Sequence, residues 1–439
     1  MVGGVVGAVV LGGGAAVAVP RLSSDCGRDV TEVTGARSDS PFLDARQRAA
    51  RPDHDRDALV TALDAAPAPF GKVLGGVGYH YEQWAQVSAF AQGIGVRTRD
   101  NPDFTMLDDR TLKPRWSVRV GTRRSTYDAS DTRYLVAALS TGAAPDLVAL
   151  DADDGHRVWC TTLDAPEVTF NDPFATQVLD GGGVAVLTRG SGSTEQVVRL
   201  DGRDGSQRWR RGVAADEGDF LGSLGDGLLL AGGTSHERLA DPRRLSQRRA
   251  GQSLVAISAK NGRRRWTLDS AAGAGMHVIG TDPDAGLALV EQWTGQQGRV
   301  LALDRAGRQV WSVSPGGPAH FDVSLRAGRV LVRAGNAWSA YAARDGHVLW
   351  RRTVPEKPQF LPYGFALADL PLLDDDHALV GGTTALHVLD LDTGAMTSAA
   401  LPTDGINTTY WPYEVAVSPG LVAVATNTGA AVVRRTSGG

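Results

Sequence analysis

The sequence predicts an all-β protein built from repeated small sheets, and three observations support this fold class. Short apolar runs recur along the chain, and several of them end in nearly the same string of residues. Glycine is abundant, with 54 residues in a chain of 439, and ten of the aromatic residues are tryptophan. None of the runs shows the 3.6-residue period of a helix over ten or more residues. Many short strands joined by tight turns have this composition.

The recurring string combines an apolar strand, an aspartate, a glycine and a tryptophan four residues after the glycine. One clear copy reads LVALDADDGHRVW, and a second reads VVRLDGRDGSQRW. The copies lie at residues 104–116, 147–159, 197–209, 254–266, 300–311, 338–350 and 386–398. The six intervals between positions 116 and 398 average about 47 residues, which suits a propeller blade of four strands.

Each position of the string has a predicted mechanical role. The aspartate begins the turn, because its carboxylate can accept backbone N–H groups two residues on. These residues are Asp151, Asp201, Asp304 and Asp390. The glycine supplies a positive φ that lets the chain reverse into a hairpin. These residues are Gly155, Gly205, Gly262, Gly307, Gly346 and Gly394.

The tryptophans are expected to fill the space between neighbouring sheets, since one sheet alone cannot bury so large a ring. They are Trp116, Trp159, Trp209, Trp266, Trp311 and Trp350, and Ser398 takes the seventh place. The alternating residues before each turn are expected to place one strand face on a core. The repeat therefore predicts sheets stacked around a ring.

The x-A-L-D-x-x-T-G-x-x-x-W pattern resembles the quinoprotein-type repeat of the PQQ-like β-propeller family, over roughly residues 75 to 435. The resemblance implies a β-propeller of four-stranded blades, for which eight blades are preferred and seven are the alternative. Within that family, the chain resembles the non-catalytic branch, which includes the propeller lipoprotein of outer-membrane assembly. In that family the Asp, Gly and Trp are structural, and only that role is carried over here. Ser398 and Leu112 depart from the pattern, so blades seven and one are expected to be less regular.

The C-terminal end of the chain predicts how the ring closes. Residues 413–435 read as three strands without a tryptophan hairpin. A strand from the N-terminal side, within 26–35 or 70–81, is therefore expected to complete the last blade and remove its exposed edge. The propeller domain is assigned to residues 70–439.

The N-terminal residues predict export. Residues 1–20 carry no charged side chain and read either as a cleaved signal peptide or as an N-terminal membrane anchor. Residues 21–69 read as an extended linker with a possible ring-closing strand and one short helix around residues 56–66. Cys26 and Cys160 can pair in an exported protein, although two free thiols are equally allowed.

No catalytic, cofactor or metal site is predicted. Quinone dehydrogenases, as the resemblance would imply, use adjacent cysteines, and this chain has none. The acidic run at residues 374–376 suits either a hard cation or a solvated turn, and the turn is favoured. A net charge of −4 argues against a general nucleic-acid binder.

One arginine-rich stretch in the longest interval between tryptophans suits recognition of carboxylate or phosphate groups by a partner-binding loop. Its paired arginines are Arg243, Arg244, Arg248 and Arg249. The alternative is an exposed, solubilising insertion.

We therefore expect a monomeric, non-catalytic, extracytoplasmic propeller that serves as a protein-interaction scaffold or ligand-sensing module at the cell envelope. It would need no cofactor, and its envelope protein partners are not identified by the sequence. It would be anchored on the outer face of the cell membrane through the N-terminal segment, or be secreted or periplasmic. The alternative is a quinone (PQQ)-dependent dehydrogenase or another propeller enzyme.

Overall fold

The protein is described by a computed structural model. The structure describes residues 26, 30–32, 42–66, 68, 70–78, 85–90, 93–98, 103–120, 125–128, 134–139, 146–163, 167–168, 176–179, 183–189, 195–213, 221–225, 227–232, 234–235, 253–269, 274–294, 297–314, 322–334, 337–353, 372–381, 385–400, 414–418, 420–425 and 429–436. The N-terminal elements are β1 (Val30–Glu32), α1 (Ala45–Ala50), α2 (His54–Asp64) and β2 (Phe70–Gly78).

The described strands form eight small sheets, which we number from 1 to 8. Sheet 1 contains β1, β3 (Ala85–Phe90), β4 (Gly93–Thr98), β5 (Asp103–Asp108) and β6 (Pro114–Val120). Sheet 2 contains β7 (Ser125–Asp128), β8 (Tyr134–Leu139), β9 (Asp146–Asp151) and β10 (Arg157–Thr162). Sheet 3 contains β11 (Glu167–Val168), β12 (Thr176–Val178), β13 (Val184–Arg189), β14 (Glu195–Leu200) and β15 (Gln207–Gly212). Sheet 4 contains β16 (Leu221–Ser223), β17 (Leu228–Gly232), β19 (Ser253–Ser258) and β20 (Arg264–Asp269).

Sheet 5 contains β18 (Thr234–Ser235), β21 (Ala274–Asp282), β22 (Leu287–Thr294), β23 (Gln297–Leu303) and β24 (Gln309–Val313). Sheet 6 contains β25 (Asp322–Arg326), β26 (Arg329–Ala334), β27 (Ala337–Ala342) and β28 (Val348–Thr353). Sheet 7 contains β29 (His377–Gly381), β30 (Ala385–Asp390) and β31 (Met396–Ala400). Sheet 8 contains β2, β32 (Glu414–Val417), β33 (Leu421–Ala425) and β34 (Gly429–Arg435).

Both faces of a central strand are buried, which corrects the expectation that only one face meets a core. In β9, Leu147 and Ala149 belong to an apolar cluster shared with sheet 3. Val148 and Leu150, which point the other way, belong to a cluster shared with sheet 1. A strand between two neighbouring sheets needs apolar residues on both sides, so its burial does not alternate.

Each sheet packs on the next through one such cluster of buried residues, from sheet 1 to sheet 8. A further cluster joins sheet 8 to sheet 1, through residues such as Val432 of β34 and Ile94 of β4. The succession of packed sheets therefore returns to its starting point.

Sheet 8 combines strands from the two ends of the chain. Strand β2 pairs antiparallel with β34, with Val77 opposite Ala430 and Gly78 opposite Gly429. The expectation that residues within 70–81 complete the last sheet is therefore confirmed. The other candidate stretch contributes β1, which instead pairs with β6 at the edge of sheet 1.

Residues 42–66, the main described part of the segment before β2, fold onto the sheets, which differs from the expected extended linker. Helix α2 lies close to the stretch where one short helix is expected, and Leu59 and Leu63 are fully buried in it. Helix α1 precedes it and begins at a capping box formed by Asp44 and Gln47. The apolar face of α2 packs between sheets 7 and 8, and this nonlocal packing stabilises a helix of weak amphipathic pattern.

Within the part of the chain that the structure describes, neither helix has the length and apolar character needed to cross a membrane. Residues 1–20, for which a signal peptide or membrane anchor is predicted, lie outside the described residues.

Candidate functional site

The indole rings of the repeat connect each sheet to the turn of the following sheet. In six successive sheets the tryptophan Nε1–H donates to the carbonyl oxygen one residue after the aspartate position of the next repeat. These bonds join Trp116 to Ala152 (3.1 Å), Trp159 to Gly202 (2.9 Å), Trp209 to Ala259 (2.9 Å), Trp266 to Arg305 (2.8 Å), Trp311 to Ala343 (2.7 Å) and Trp350 to Leu391 (2.8 Å). Each indole N–H is thus satisfied while its ring is packed against apolar residues.

The glycine of each turn lies against the ring of the preceding repeat. At Gly205, φ is 68° and a Cβ atom would lie 2.6 Å from Cε3 of Trp159. The same contact joins Gly155 to Trp116, Gly262 to Trp209, Gly307 to Trp266, Gly346 to Trp311 and Gly394 to Trp350. Glycine is therefore required at these positions for two reasons: it tolerates the positive φ, and it has no side chain that would clash with the ring.

A β-bulge precedes each of these tryptophans. In sheet 2, Arg157 pairs with Leu150 and Trp159 with Ala149, so Val158 is the extra residue. The same register shift precedes Trp116, Trp209, Trp266, Trp311 and Trp350. A bulge re-aims the side chain that follows it. Here it accompanies each ring that is directed at the next sheet.

The turn aspartates accept the backbone N–H groups for which the sequence predicts them. Oδ1 of Asp151 accepts from the amide of Asp153 at 2.8 Å, and Oδ1 of Asp201 accepts from Arg203 at 2.8 Å. Asp304 and Asp390 make the equivalent bonds with Ala306 and Asp392. The amide of Arg203 and the guanidinium of Arg208 together hold the pKa of Asp201 below its usual value.

Sheet 7 departs from the pattern because its edge strand has no bulge. Thr397 pairs with Val388 and Ser398 with His387, so Thr397, not Ser398, takes the ladder position that tryptophan has elsewhere. The Ser398 hydroxyl lies 2.5 Å from Nδ1 of His387. Helix α2 supplies the apolar contacts between sheets 7 and 8, in a cluster that includes Val388.

The other departure, Leu112, lies in the turn of sheet 1. It adopts a left-handed conformation with φ of 56°, where the other repeats have glycine. No motif tryptophan precedes this turn, since sheet 8 lacks the string. Leu112 is itself buried with Phe42 between sheets 8 and 1. The apolar side chain thus occupies the interface directly.

The acidic run at residues 374–376 is a turn in which the first and third carboxylates have protein partners. Asp374 lies 2.8 Å from Nδ1 of His377, and Asp376 pairs with Arg329 of sheet 6 at 2.9 Å. The same guanidinium, whose side chain is 14% exposed, pairs with Asp392 at 2.6 Å. Arg329 could not be recognised from the sequence, because its partners lie 47 and 63 residues away.

The two cysteines form a disulfide, which settles the alternative that the sequence left open. Cys26 is joined to Cys160 of β10, with their Cα atoms 5.8 Å apart. The Arg157 guanidinium also donates to the carbonyl oxygen of Cys26 at 3.1 Å. The segment that follows the apolar N-terminal residues is thereby fastened to the edge strand of sheet 2. Such cross-links persist in oxidising compartments outside the cytosol.

Among the described residues, two groups of side chains have the spacing of metal ligands. One combines Asp146 with the two disulfide-bonded cysteines, and the other lies in the turn of sheet 2. The latter comprises Asp151, Asp154 and His156, whose ligand atoms lie within 4.8 Å of one another. Asp154 is 2.5 Å from Nδ1 of His156, and the amide and imidazole of His156 lower the pKa of Asp154. This is an exposed turn whose carboxylates already accept hydrogen bonds. The four arginines of the predicted partner loop lie outside the described residues.

The repeated sheets and their ring-to-turn contacts define a propeller of the PQQ type. The family described as "Outer membrane protein assembly factor BamB" (PQQ_2) matches residues 56–232 and 250–439, and the chain belongs to this family. No curated protein matches the sequence at a significant level.

Solved structures with a similar fold include proteins of two kinds. One is BamB from Moraxella catarrhalis, 14% identical, with a TM-score of 0.48, covering 82% of this chain and 100% of that one. Another is the dihydro-heme d1 dehydrogenase NirN, 16% identical, with a TM-score of 0.48, covering 89% and 86%. A third is the quinohemoprotein alcohol dehydrogenase from Comamonas testosteroni, 12% identical, with a TM-score of 0.47, covering 91% and 79%.

Proposed function

We propose that the protein is a closed eight-bladed propeller that acts as a non-catalytic scaffold or ligand-sensing module at the cell envelope. Two features support the blade count. Eight sheets are found among the described residues, and each packs on the next by a buried apolar cluster. Sheet 8 packs on both sheet 7 and sheet 1, as the last blade of a ring would.

The observation that carries the extracytoplasmic assignment is the disulfide between Cys26 and Cys160. A cross-link at the start of the folded body follows an uncharged apolar segment of twenty residues. An exported protein explains both features, because export supplies the oxidising compartment and the apolar segment directs it there. We take that segment as an anchor that holds the propeller on the outer face of the cell membrane.

The scaffold role is supported by what the repeat residues do. Their carboxylates bind turn amides, their glycines face indole rings, and their indoles bind neighbouring carbonyl groups. These interactions build a rigid ring and leave partner recognition to the connections between strands. Arg243, Arg244, Arg248 and Arg249 lie in one such connection, and we propose them as contacts for an acidic group of an envelope protein.

Labelling on intact cells tests the location. A membrane-impermeant amine reagent should modify lysines of the protein without cell lysis, and the thiols of Cys26 and Cys160 should resist alkylation until a reductant is added. Labelling that requires lysis, together with free thiols, would overturn the extracytoplasmic assignment.

Addition of the quinone cofactor and calcium tests the non-catalytic role. We expect no new absorbance in the purified full-length protein and no dye-linked oxidation of alcohols or sugars. Turnover would overthrow the scaffold proposal in favour of a quinone-dependent dehydrogenase.

A further inference from the structure

Exposed cations are concentrated along the edges of sheets 3 and 4. We define this basic flank as Arg203, Arg211, Lys260, Arg263, Arg264 and Arg265, all of which are exposed. None of these six side chains forms an ion pair with another described residue, whereas Arg208 of the same edge is bound to Asp201. Their charges are therefore directed to solvent.

The basic flank is opposite in sign to the net charge of the chain. The turn of sheet 4 has Ser258 at the aspartate position, so its four cations have no turn carboxylate beside them. The nearby exposed carboxylates along these two edges are Asp204 and Asp269, two against six cations. The whole chain carries a net charge of −4, so this flank is a local reversal of sign. Such a surface attracts polyanions over about a Debye length.

The basic flank begins on the sheet that follows β10, the strand to which Cys26 is fastened. Cys160 follows Trp159, whose indole binds the carbonyl group next to Arg203. In the adjoining sheet, the indole of Trp209 binds the carbonyl group next to Lys260. Cys160 itself packs on the sheet 1 side of β10. The turn of sheet 3 adjoins the opposite face of that strand, and the turn of sheet 4 adjoins the next edge strand.

The chain before the disulfide is a short tether. Seven peptide steps separate Val19, at the end of the apolar segment, from Cys26. At full extension they span about 25 Å. If the apolar segment lies in a bilayer, as the proposed function holds, the edge of sheet 2 stays within that distance of the headgroups.

We propose that the basic flank binds anionic phospholipid headgroups of the membrane that holds the N-terminal segment. The inference rests on the proposed anchor, and it adds an orientation: the edges of sheets 2 to 4 face the membrane. The turns and strand edges on the remaining sheets then face away from the bilayer and are accessible to partners.

Vesicle partition of the full-length protein tests this orientation. Wild-type protein is mixed with vesicles of phosphatidylcholine alone and with vesicles that also contain phosphatidylglycerol, and the bound fraction is measured by flotation. The apolar segment contributes equally to both partitions, so the ratio between them reports the basic flank. We expect the ratio to favour phosphatidylglycerol and to fall as salt is raised.

The variant carries Arg263→Glu and Arg264→Glu, and the matched control carries Arg344→Glu and Arg351→Glu. The control pair is exposed on sheet 6, forms no ion pair with a described residue, and changes the net charge equally. Each cation near an anionic surface contributes about 1 kcal/mol, so the variant's ratio should fall about thirty-fold or more. The control should keep the wild-type ratio. Both variants should keep the wild-type melting temperature.

Equal partition of wild-type protein onto the two kinds of vesicle would overturn the proposal, as would equal losses in the variant and the control. Failure of the anchor gives a different result. In that case wild-type protein does not bind neutral vesicles at all, while a preference for phosphatidylglycerol that the variant loses would still support headgroup binding by the flank.

Discussion

Replacing Gly205 by alanine tests whether each turn bears directly on an indole ring. A Cβ atom there would lie 2.4 Å from Oγ1 of Thr161 and 2.6 Å from Cε3 of Trp159, in a backbone with φ of 68°. The left-handed conformation costs a residue with a Cβ about 1–2 kcal/mol. Forcing a methyl group into a packed contact costs about 1–3 kcal/mol more. We expect Gly205→Ala to lower the free energy of unfolding by about 2–5 kcal/mol.

Gly328→Ala is the matched control. Gly328 has a φ of 71°, but no atom lies within 4 Å of the position that a Cβ would take. This substitution should cost only the backbone strain of about 1–2 kcal/mol. Urea unfolding of both variants, followed by tryptophan fluorescence, isolates the contact with the ring as the difference between them. If Gly205→Ala costs no more than Gly328→Ala, the proposed contact between turn and ring is refuted.

Three further predictions concern the disulfide, a turn carboxylate and an ion pair. Cys160→Ser removes a cross-link that spans 134 residues, so the free energy of unfolding should fall by about 3–5 kcal/mol. Wild-type protein measured in reductant should have the same free energy of unfolding as the variant. Because folding lowers the pKa of Asp201, its carboxylate stabilises the folded protein above about pH 4, and this stabilisation is lost as the pH falls through the folded-state pKa. In thermal melts between about pH 6 and pH 3, Asp201→Asn should therefore lose less stability than wild type. Arg329→Ala should cost about 1–2 kcal/mol in urea unfolding, because Asp376 and Asp392 lose a shared partner, and Arg329→Lys should restore only part of it.

The repeated string was sufficient to predict the sheets and the role of the rings. Aspartate, glycine and tryptophan at fixed spacing describe a local hairpin, and local geometry is what a sequence pattern encodes. The strand that completes sheet 8 was also predictable, because three C-terminal strands without a partner need a fourth. The space that Trp159 fills between two sheets was therefore predicted, whereas its contact with the turn of Gly205 is seen only in the structure.

The features that sequence reasoning missed depend on contacts between distant segments. Helix α2 is buried because it meets Leu379 and Val424, and these residues are more than 300 positions away. Its own apolar pattern is weak, so the segment resembled a linker. Ser398 appeared equivalent to tryptophan by counting, yet the absence of a bulge shifts it by one ladder position. In this repeat, the tryptophan that follows a bulge is the only feature of the sequence that indicates the bulge.

The candidate functional surfaces were only partly visible in the sequence. The repeat of sheet 4 was interpreted through its glycine and tryptophan only. The cations within it are Lys260, Arg263, Arg264 and Arg265. Their significance depends on Arg203 and Arg211, which a neighbouring sheet brings to the same side. The spacing of charged residues along the sequence does not show which sheet edges are neighbours in the folded protein.

The proposed closure of the ring depends on β2 pairing with β34, and an engineered cross-link between these strands tests it most directly. Val77 lies opposite Ala430, although 353 positions separate them in the chain. In the folded protein carrying Val77→Cys and Ala430→Cys, mild oxidation should give a single cross-linked peptide pair that contains both positions, as detected by mass spectrometry. If both new thiols remain free to alkylation while the native disulfide is intact, the two ends of the chain do not share a sheet and the ring is not closed in this way.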